Sequence, residues 1–322
     1  MAQQSHSHET GASPVFSFEA AKLIQQLNAQ FAIDGKLRFV EGPEACVMID
    51  VNSRHARATI STYGAQILGY QPHDAEQDML FLSPQSQYGN GKAIRGGVPL
   101  CWPWFGDDPT GRGRPAHGFV RNRVWQVNAV KLDDEDQITI SMSLPNSEDF
   151  QQYWHSAFKL SIEIQIGKTL KISLTTENCD QETFVISQAL HTYFQVGDIE
   201  QVWLRGLDNY HYLDKTDSFH EKLQHDHVWF KNETDRVYLH SPEQLFIEDA
   251  ALNRRIVVES HGSQTTVVWN PWHKASQLAD MADDAYQTFV CVETANAAGD
   301  SIHLAPGQSH TLMAEYWLMT RD

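Results

Sequence analysis

An alternation of apolar and polar residues between positions 158 and 174 constrains the fold more than any other feature of this chain. Every second residue from Phe158 to Ile166 is large and apolar, a Gly-Lys pair interrupts the pattern, and the alternation resumes from Leu170 to Leu174. Side chains two residues apart lie on the same face of a β-strand. The segment is therefore predicted to form a β-hairpin with one buried face.

Comparable strand patterns recur along the rest of the chain, without the alternation of strands and helices that is typical of parallel sheets. They lie at residues 56–63, 137–144, 183–194, 201–204, 255–259, 265–269, 288–293 and 311–318. No glycine-rich phosphate loop follows a strand, and no Pro- or Gly-rich linker divides the chain. We therefore predict an all-β protein, a large antiparallel β-sandwich that forms a single domain over residues 15–322.

The N-terminal segment has a different character. Residues 1–14 are small and polar and end at Pro14, so we expect a flexible tail. The region from Phe18 to Phe31 is predicted to form one short amphipathic helix. Its apolar residues at helical spacing are Leu23, Ile24, Leu27 and Phe31. Because neither a leader-like segment nor an apolar run of membrane-spanning length is present, we expect a soluble, cytoplasmic protein.

The charge balance limits the kinds of partner. The formal net charge is −17, from 24 Lys and Arg against 41 Asp and Glu, which opposes binding to nucleic acid or to an anionic membrane. An anionic small molecule would need its own cluster of basic residues. The four cysteines show no C-x-x-C spacing, and free thiols in a reducing compartment are the simplest interpretation.

Two ionisable residues stand in strand-like runs that are otherwise apolar. Glu293 lies within Thr288-Phe-Val-Cys-Val-Glu-Thr, where an ionised carboxylate is costly unless the fold compensates for it. His191 shares a predicted strand face with small residues and Tyr193, which resembles the floor of a ligand cleft. A single histidine in a strand is more often a structural residue. Together, however, one weak base and one tunable acid could move protons.

Basic residues gather in one window against the acidic background. Arg95 lies in a rigid loop rich in Gly, Pro and aromatic residues, and Arg112, Arg114, His117, Arg121 and Arg123 follow it. A guanidinium suits a phosphate or carboxylate, so this window could form an anion site. A core-filling loop with Arg95 on a surface carboxylate, or a structural ion-pair network, would explain the same pattern.

Two further clusters carry weaker signals. Asp235 could accept hydrogen bonds from sugar hydroxyls or pair with Arg236 across a turn, and spacing alone favours the second interpretation. His225 and His227 have no third ligand at a recognisable spacing, so a zinc site is not predicted. The chain also lacks a G-x-S-x-G motif, a P-loop and a dinucleotide-binding fingerprint.

Considered together, six segments resemble the aldose 1-epimerase superfamily and, within it, the hexose-6-phosphate mutarotases. They occur in family order, and the resemblance covers roughly residue 34 to the C-terminus. The segments are Arg95-Gly-Gly-Val-Pro with its Trp-Pro-Trp-Phe-Gly tail, His117-Gly-Phe-Val-Arg-Asn, Leu190-His-Thr-Tyr-Phe, Glu233-Thr-Asp-Arg-Val-Tyr, Trp269-Asn-Pro-Trp and Cys291-Val-Glu-Thr. Their combination is far more specific than any one of them.

The resemblance implies a β-sandwich of the galactose mutarotase type that interconverts the α and β anomers of a hexose 6-phosphate. It implies no metal and no organic cofactor, a small sugar phosphate as the only partner, and we expect a monomer. By the same resemblance, His191 is the general acid and Glu293 the general base. The substrate-binding residues would be Arg95, His117, Arg121 and Asp235, with Lys274 as a further candidate and Arg95 and Arg121 on the phosphate. The Trp269-Asn-Pro-Trp272 segment is interpreted as scaffold.

These residue types suit the reaction. Ring opening removes the proton of the anomeric O1 hydroxyl and protonates the ring oxygen O5, and reclosure reverses the two transfers. Glutamate as a carboxylate and histidine as an imidazolium are both expected near neutral pH from their reference pKa values of about 4.3 and about 6.5. Two alternatives remain: a galactose mutarotase acting on unphosphorylated sugars, and a non-catalytic carbohydrate-binding protein on the same sandwich.

Overall fold

The chain folds mainly into antiparallel β-strands. The computed structural model describes residues 14–320, and within them it has one α-helix, α1 (Pro14–Phe31). The strands are β1 (Leu37–Glu41), β2 (Val47–Asn52), β3 (Ala56–Ser61), β4 (Gln66–Pro72), β5 (Leu100–Cys101), β6 (Gln126–Leu132), β7 (Ile138–Ser143), β8 (Phe158–Ile166), β9 (Leu170–Asn178), β10 (Phe184–Ile186), β11 (Gln188–Leu190), β12 (Tyr193–Gln195), β13 (Val202–Arg205), β14 (His211–Asp214), β15 (His220–Leu223), β16 (Val228–Trp229), β17 (Thr234–Leu239), β18 (Gln244–Asp249), β19 (Arg254–His261), β20 (Thr265–Asn270), β21 (Phe289–Asn296), β22 (Ile302–Leu304) and β23 (Ser309–Thr320). Short 3-10 segments occupy Pro43–Ala45, Val120–Asn122, Glu148–Gln152, Ile199–Gln201, Lys215–Asp217, Trp272–Gln277, Ala285–Thr288 and Ala298–Asp300.

The predicted hairpin is confirmed as β8 and β9, which pair along their full length from Phe158 opposite Asn178 to Ile166 opposite Leu170. The apolar residues of both strands are buried, and most of the polar residues between them are exposed or half-buried. Burying one such side chain stabilises the fold by roughly 1.5–3 kcal/mol, so this regular alternation fixes which face of the hairpin points inward.

Two large antiparallel sheets make up the sandwich, as predicted. One has nine strands in the order β16-β13-β18-β19-β23-β9-β8-β7-β6. The other has the order β15-β14-β17-β20-β21-β11-β5, with β12 also paired to β21. A four-stranded sheet, β1-β2-β3-β4, and a β10-β22 pair complete the described strands. The main apolar core lies between the two large sheets and includes Ile162 and Tyr316 from one and Leu190 and Val292 from the other.

The helix differs in extent from its prediction. It begins at Pro14 rather than Phe18, so Pro14 belongs to the helix and not to the predicted tail; residues 1–13 lie outside the described residues. The Asn28 side chain accepts from the backbone N–H of Phe39 and donates to its carbonyl oxygen, each at 2.8 Å, which fastens α1 to β1. Leu23, which was expected on the buried face, is 40% exposed. Within residues 14–320, no helix has the length and apolar character needed to cross a bilayer.

The opposite face of the sheet that contains β21 carries a separate group of small buried residues. This group, hereafter the floor, consists of Cys101, Ala189, Val237, Val267, Ala295 and Ala297. Residues that lie opposite each other in the ladder share a face, and Ala189 lies opposite both Cys101 and Ala295. Small side chains leave room above the sheet, which agrees with the predicted cleft floor around residue 189.

Gly118 lies where the chain passes close to Trp102, and we expect alanine there to be disruptive. Its φ is +76°, and a Cβ would overlap the Trp102 carbonyl oxygen. Gly111 is a matched control, because it also has a positive φ of +66° but faces open space. Chemical denaturation should show that Gly118→Ala loses at least about 2 kcal/mol more unfolding free energy than Gly111→Ala. Equal losses would mean that backbone conformation alone requires this glycine.

Candidate active site

The register of β21 brings the predicted acid and base together. Leu190 of β11 lies opposite Thr294, and Tyr193 of β12 lies opposite Cys291. Both pairs belong to one continuous register, so the intervening His191 lies opposite Glu293. Opposite residues point to the same face, here the floor side of the sheet. The sequence alone placed these residues in two strands, and strand pairing makes them neighbours.

The His191 imidazole and the Glu293 carboxyl form a buried pair. His191 Nε2 lies 3.4 Å from Glu293 Oε1, and the side chains are 10% and 1% exposed. Glu293 Oε2 and His191 Nδ1 have no hydrogen-bond partner among the described residues. Buried polar atoms are nearly always hydrogen-bonded in folded proteins, so such atoms at one spot mark a place where a polar ligand would fit.

The surroundings of Glu293 favour its uncharged form. Burial raises the pKa of this carboxyl well above its usual range, and the negative charge of Asp235 raises it further. The positive charges of Lys215 and Arg121 act in the opposite direction and partly offset that rise. Burial dominates because a carboxylate in a buried strand has lost its hydration.

The surroundings of His191 also favour its uncharged form. Burial lowers the pKa of the imidazole well below its usual range, and the neighbouring His117, Arg121 and Arg95 lower it further. In the protein alone, the surroundings of both groups therefore act against the expected combination of a carboxylate and an imidazolium. Reference pKa values describe solvated groups, whereas burial here shifts both members of the pair towards neutrality.

Aromatic rings surround the histidine. The ring of Tyr193 stacks on His191 at 4.9 Å between centroids, and the ring of Trp269 meets it edge-on at 5.9 Å. Trp269 was interpreted as scaffold from the sequence, but the structure gives it a direct contact with the catalytic candidate. Its position follows from the ladder, since Trp269 lies opposite both Asp235 and Cys291.

Arg95 is held rigidly at the site. The buried Gln66 side chain donates to the backbone carbonyls on either side of Arg95, at 3.1 and 2.7 Å, and fixes the loop. The guanidinium donates to Asp280 and to the Tyr193 hydroxyl, each at 3.1 Å. The ion pair with Asp280 is what the alternative interpretation predicted, in which Arg95 has a structural role on a carboxylate. Nevertheless, the Tyr193 contact connects Arg95 to the ring that stacks on His191.

His117 presents a neutral imidazole to the site. The N–H of Gly106 donates to His117 Nδ1 at 3.3 Å, which leaves Nε2 to carry the ring proton. Burial, followed by the positive charge of Arg121, lowers the pKa of His117 to about 3. Its ring lies 5.6 Å from that of His191 between centroids. His117 can therefore donate a hydrogen bond to a ligand without carrying charge.

Arg121 differs from Arg95 and Lys215 because it contacts no carboxylate among the described residues. Its Nη2 donates to the Ala116 carbonyl oxygen at 2.9 Å, and its buried Nε has no hydrogen-bond partner among the described residues. Its charge acts on the pKa values of both Glu293 and His191, so it lies close to the pair. A half-buried guanidinium that meets only a carbonyl retains capacity to bind an anion.

Asp235 is paired with a residue that the sequence did not single out. Leu213 lies opposite Val237, and the same register extended by two residues brings Lys215 beside Asp235, with Nζ at 2.8 Å from Oδ2. The alternative pairing of Asp235 with Arg236 is wrong, because Arg236 donates to a glutamine instead. Asp235 Oδ1 is buried without a partner within the described residues. Only strand pairing could have identified Lys215.

Other basic candidates lie apart from the pair. Lys274 contacts Glu233 at 2.7 Å and is 60% exposed, and no hydrogen bond or ion pair within residues 14–320 joins it to His191 or Glu293. Arg114 bonds Asp108 and stacks on Trp104, which is a structural role. The structure therefore brings together six of the seven predicted site residues and leaves Lys274 at the edge.

A metal would find one donor set at this site. Among the residues described, His191, Cys291 and Glu293 offer ligand atoms that all lie within 4.8 Å of one another. A metal-bound cysteine is a thiolate, but burial raises the pKa of Cys291 well above its usual range. The donor chemistry therefore fits a metal poorly.

Comparisons with known proteins agree with this geometry. The family model "Aldose 1-epimerase" matches residues 48–317. A curated Escherichia coli protein named "Putative glucose-6-phosphate 1-epimerase" is 40% identical over 253 residues, covering 78% of this chain and 83% of that protein. One of the same name from Cenchrus ciliaris is 34% identical over 268 residues, covering 80% and 79%.

Solved structures support the same relationship. A "putative mutarotase" from Salmonella typhimurium superposes with a TM-score of 0.83 at 34% identity, covering 93% of this chain and all of that one. A galactose mutarotase related enzyme from Lactobacillus acidophilus has a TM-score of 0.66 at 14% identity, covering 85% and 97%, which shows the shared fold. The family model covers most of the sandwich and both members of the buried pair, and this chain belongs to the aldose 1-epimerase family.

Proposed function

We propose that this isomerase interconverts the α and β anomers of a hexose 6-phosphate, most simply glucose 6-phosphate. The observation that carries the proposal is the buried His191–Glu293 pair, with Arg121 beside it, in a chain of net charge −17. The pair supplies an acid and a base, and Arg121 supplies an anion partner. The names of the Escherichia coli and Cenchrus ciliaris relatives support the same substrate. A cytoplasmic location and a monomeric state stay predictions.

The reaction needs one proton on the pair. In the reactive arrangement, the Glu293 carboxylate removes the O1 proton of the closed sugar, and the His191 imidazolium protonates O5 as the C1–O5 bond breaks. The products are the open-chain aldehyde, a protonated Glu293 and a neutral His191. Rotation about C1–C2 followed by the reverse transfers closes the other anomer. The number of protons on the pair plus substrate never changes.

Burial assists the proton transfers. The protein alone favours the uncharged form of both groups, which is also their form after ring opening. Sugar hydroxyls that donate to Glu293, together with the positive charges of Arg121 and Lys215, favour the carboxylate needed beforehand. The opposing influences on Glu293 suit a group that must both take and return a proton, as acid–base catalysis in both directions requires.

Binding of the sugar can be assigned to the remaining groups. Arg95 and Lys215 each already contact a carboxylate, whereas Arg121 does not, so Arg121 is the stronger candidate for the phosphate. His117 would donate from Nε2 to a sugar oxygen, and Asp235 would accept from a hydroxyl through its free Oδ1. The small floor residues leave space for the ring.

We expect His191→Asn and Glu293→Gln each to reduce the anomerisation of glucose 6-phosphate by at least about 100-fold, because each removes one proton-transfer group. Exchange spectroscopy of the anomeric protons would measure the rate. Glu248→Gln is the matched control: Glu248 is equally buried, but it contacts Arg205 and Arg255 in the other sheet. That control should lose stability and keep activity. Near-normal rates in both site variants would contradict the assignment.

Folding of these variants has its own expected signature. The raised pKa of Glu293 means that this carboxyl favours the folded state at low pH and loses that contribution as pH rises through its folded pKa. Glu293→Gln should therefore be more stable than wild type at alkaline pH, by about 1–3 kcal/mol. The difference should shrink towards pH 5, and thermal unfolding at both pH values would measure it.

We expect kcat/KM to be bell-shaped in pH with a broad plateau. At low pH a second proton adds to the pair, and because the His191 pKa is lowered, this limb lies below about 6.5. At high pH the single proton leaves, and because the Glu293 pKa is raised, this limb lies well above the ordinary glutamate range. A pH–rate profile of the wild-type enzyme would measure both limbs. A low-pH limb at or above the ordinary histidine pKa would contradict the neutral-pair description.

Arg121→Gln should raise KM for glucose 6-phosphate by roughly 10-fold or more, while anomerisation of free glucose changes little, because a charge-assisted contact to phosphate is lost. Arg123→Gln is the control, since its guanidinium lies over the rings of Phe150 and Tyr153. The measurement is the ratio of kcat/KM for the two sugars. An unchanged ratio in Arg121→Gln would remove Arg121 from the phosphate site and favour an enzyme for unphosphorylated aldoses.

A further inference from the structure

The strands that carry the catalytic candidates also carry a buried hydroxyl group on their opposite face. Thr192 follows His191, and Thr294 follows Glu293, so each threonine points away from the cleft and towards the core. Both threonines are fully buried. Polar side chains in an apolar core are costly unless they find partners, so their contacts bear on why they are there.

Each threonine bonds one hydroxyl from the other sheet. The Tyr316 hydroxyl lies 2.7 Å from Thr192 Oγ1. Thr294 Oγ1 lies 2.7 Å from Ser260 Oγ. Tyr316 is in β23 and Ser260 is in β19, which are neighbouring strands of the nine-stranded sheet. Both hydroxyl pairs therefore cross the interface between the two sheets.

We propose that Tyr316 is a positioning residue for catalysis, whose hydroxyl holds the backbone of His191 in place by bonding Thr192, the residue that follows it. The proposal rests on the proposed function of the His191–Glu293 pair. Tyr316 touches neither the substrate nor the reacting atoms. It acts through Thr192, and it connects the catalytic sheet to the sheet behind it.

Two features make this role specific to the hydroxyl. The Tyr316 ring is fully buried and meets the Phe194 ring edge-on at 5.1 Å between centroids, so removing the hydroxyl leaves the packing in place. In addition, the β11–β12 edge is interrupted at positions 191 and 192, where the Thr192 N–H bonds to the Leu190 carbonyl at 2.9 Å rather than across the ladder. The His191 N–H bonds to the Pro99 carbonyl oxygen at 3.0 Å, and the Tyr316 contact adds a second hold on this point from the core side.

The test is Tyr316→Phe against Tyr70→Phe. Tyr70 is also fully buried, and its hydroxyl bonds to the Gly167 carbonyl at 2.9 Å in a different part of the molecule. Both variants should lose a similar, small amount of thermal stability. We expect only Tyr316→Phe to lower kcat, by roughly 10-fold to 100-fold, with KM for glucose 6-phosphate unchanged, because displacement of reacting groups by a fraction of an ångström affects the chemical step.

Thr192 provides a rescue experiment. Thr192→Val should lower kcat as Tyr316→Phe does, whereas Thr192→Ser, which keeps the hydroxyl, should retain wild-type kcat. Equal kcat in Tyr316→Phe and wild type, or equal kcat in the valine and serine variants, would overturn the positioning role. Wild-type enzyme that fails to anomerise glucose 6-phosphate would instead contradict the proposed substrate, and the same variants would then be compared on the aldose that wild type does convert.

Discussion

The structure depends on the register of β21, the buried strand that pairs with β20 on one side and with β11 and β12 on the other. One register runs through both β11 and β12, and it alone places His191 opposite Glu293. A shift by one residue would turn Glu293 towards the core and an apolar valine towards the cleft. All eight residues of β21 are buried, so such a shift would be penalised on both faces. The same burial that fixes the register also shifts the pKa values of the pair.

That connection explains how an ordinary sandwich can hold an acid–base pair. Desolvation makes the charged forms of His191 and Glu293 costly. It lowers the pKa of His191 and raises the pKa of Glu293, so it favours the uncharged form of both groups. A single proton can therefore move between them and a sugar without leaving an isolated charge in the core. The cations around the pair act against this tendency for Glu293 and so keep the carboxylate accessible.

The fold was largely predictable from local pattern, and the site only in part. The β8–β9 hairpin could be predicted because its apolar and polar residues alternate, and that alternation matches which side chains are buried. His191 and Glu293 could be recognised because a polar residue in an apolar strand is conspicuous in the sequence. Lys215 and Asp280 could not be recognised, because each is a charged residue of a type common in exposed turns and loops. Each joins the site through an ion pair with a residue distant in sequence. Lys215 pairs with Asp235, 20 residues away, and Asp280 pairs with Arg95, 185 residues away.

The directions of the pKa shifts of the pair and the contact of Trp269 with His191 could not be predicted, for a related reason. Both depend on what surrounds a side chain in three dimensions, and neither spacing nor reference pKa values contain that information. Strand alternation adds a further consequence: a residue that faces the cleft is followed by one that faces the core. A hydrogen bond to a core-facing side chain therefore restrains the backbone of the cleft-facing residue next to it. Thr192 and Thr294 occupy those positions, so the sheet packing and the catalytic geometry share the same few hydrogen bonds.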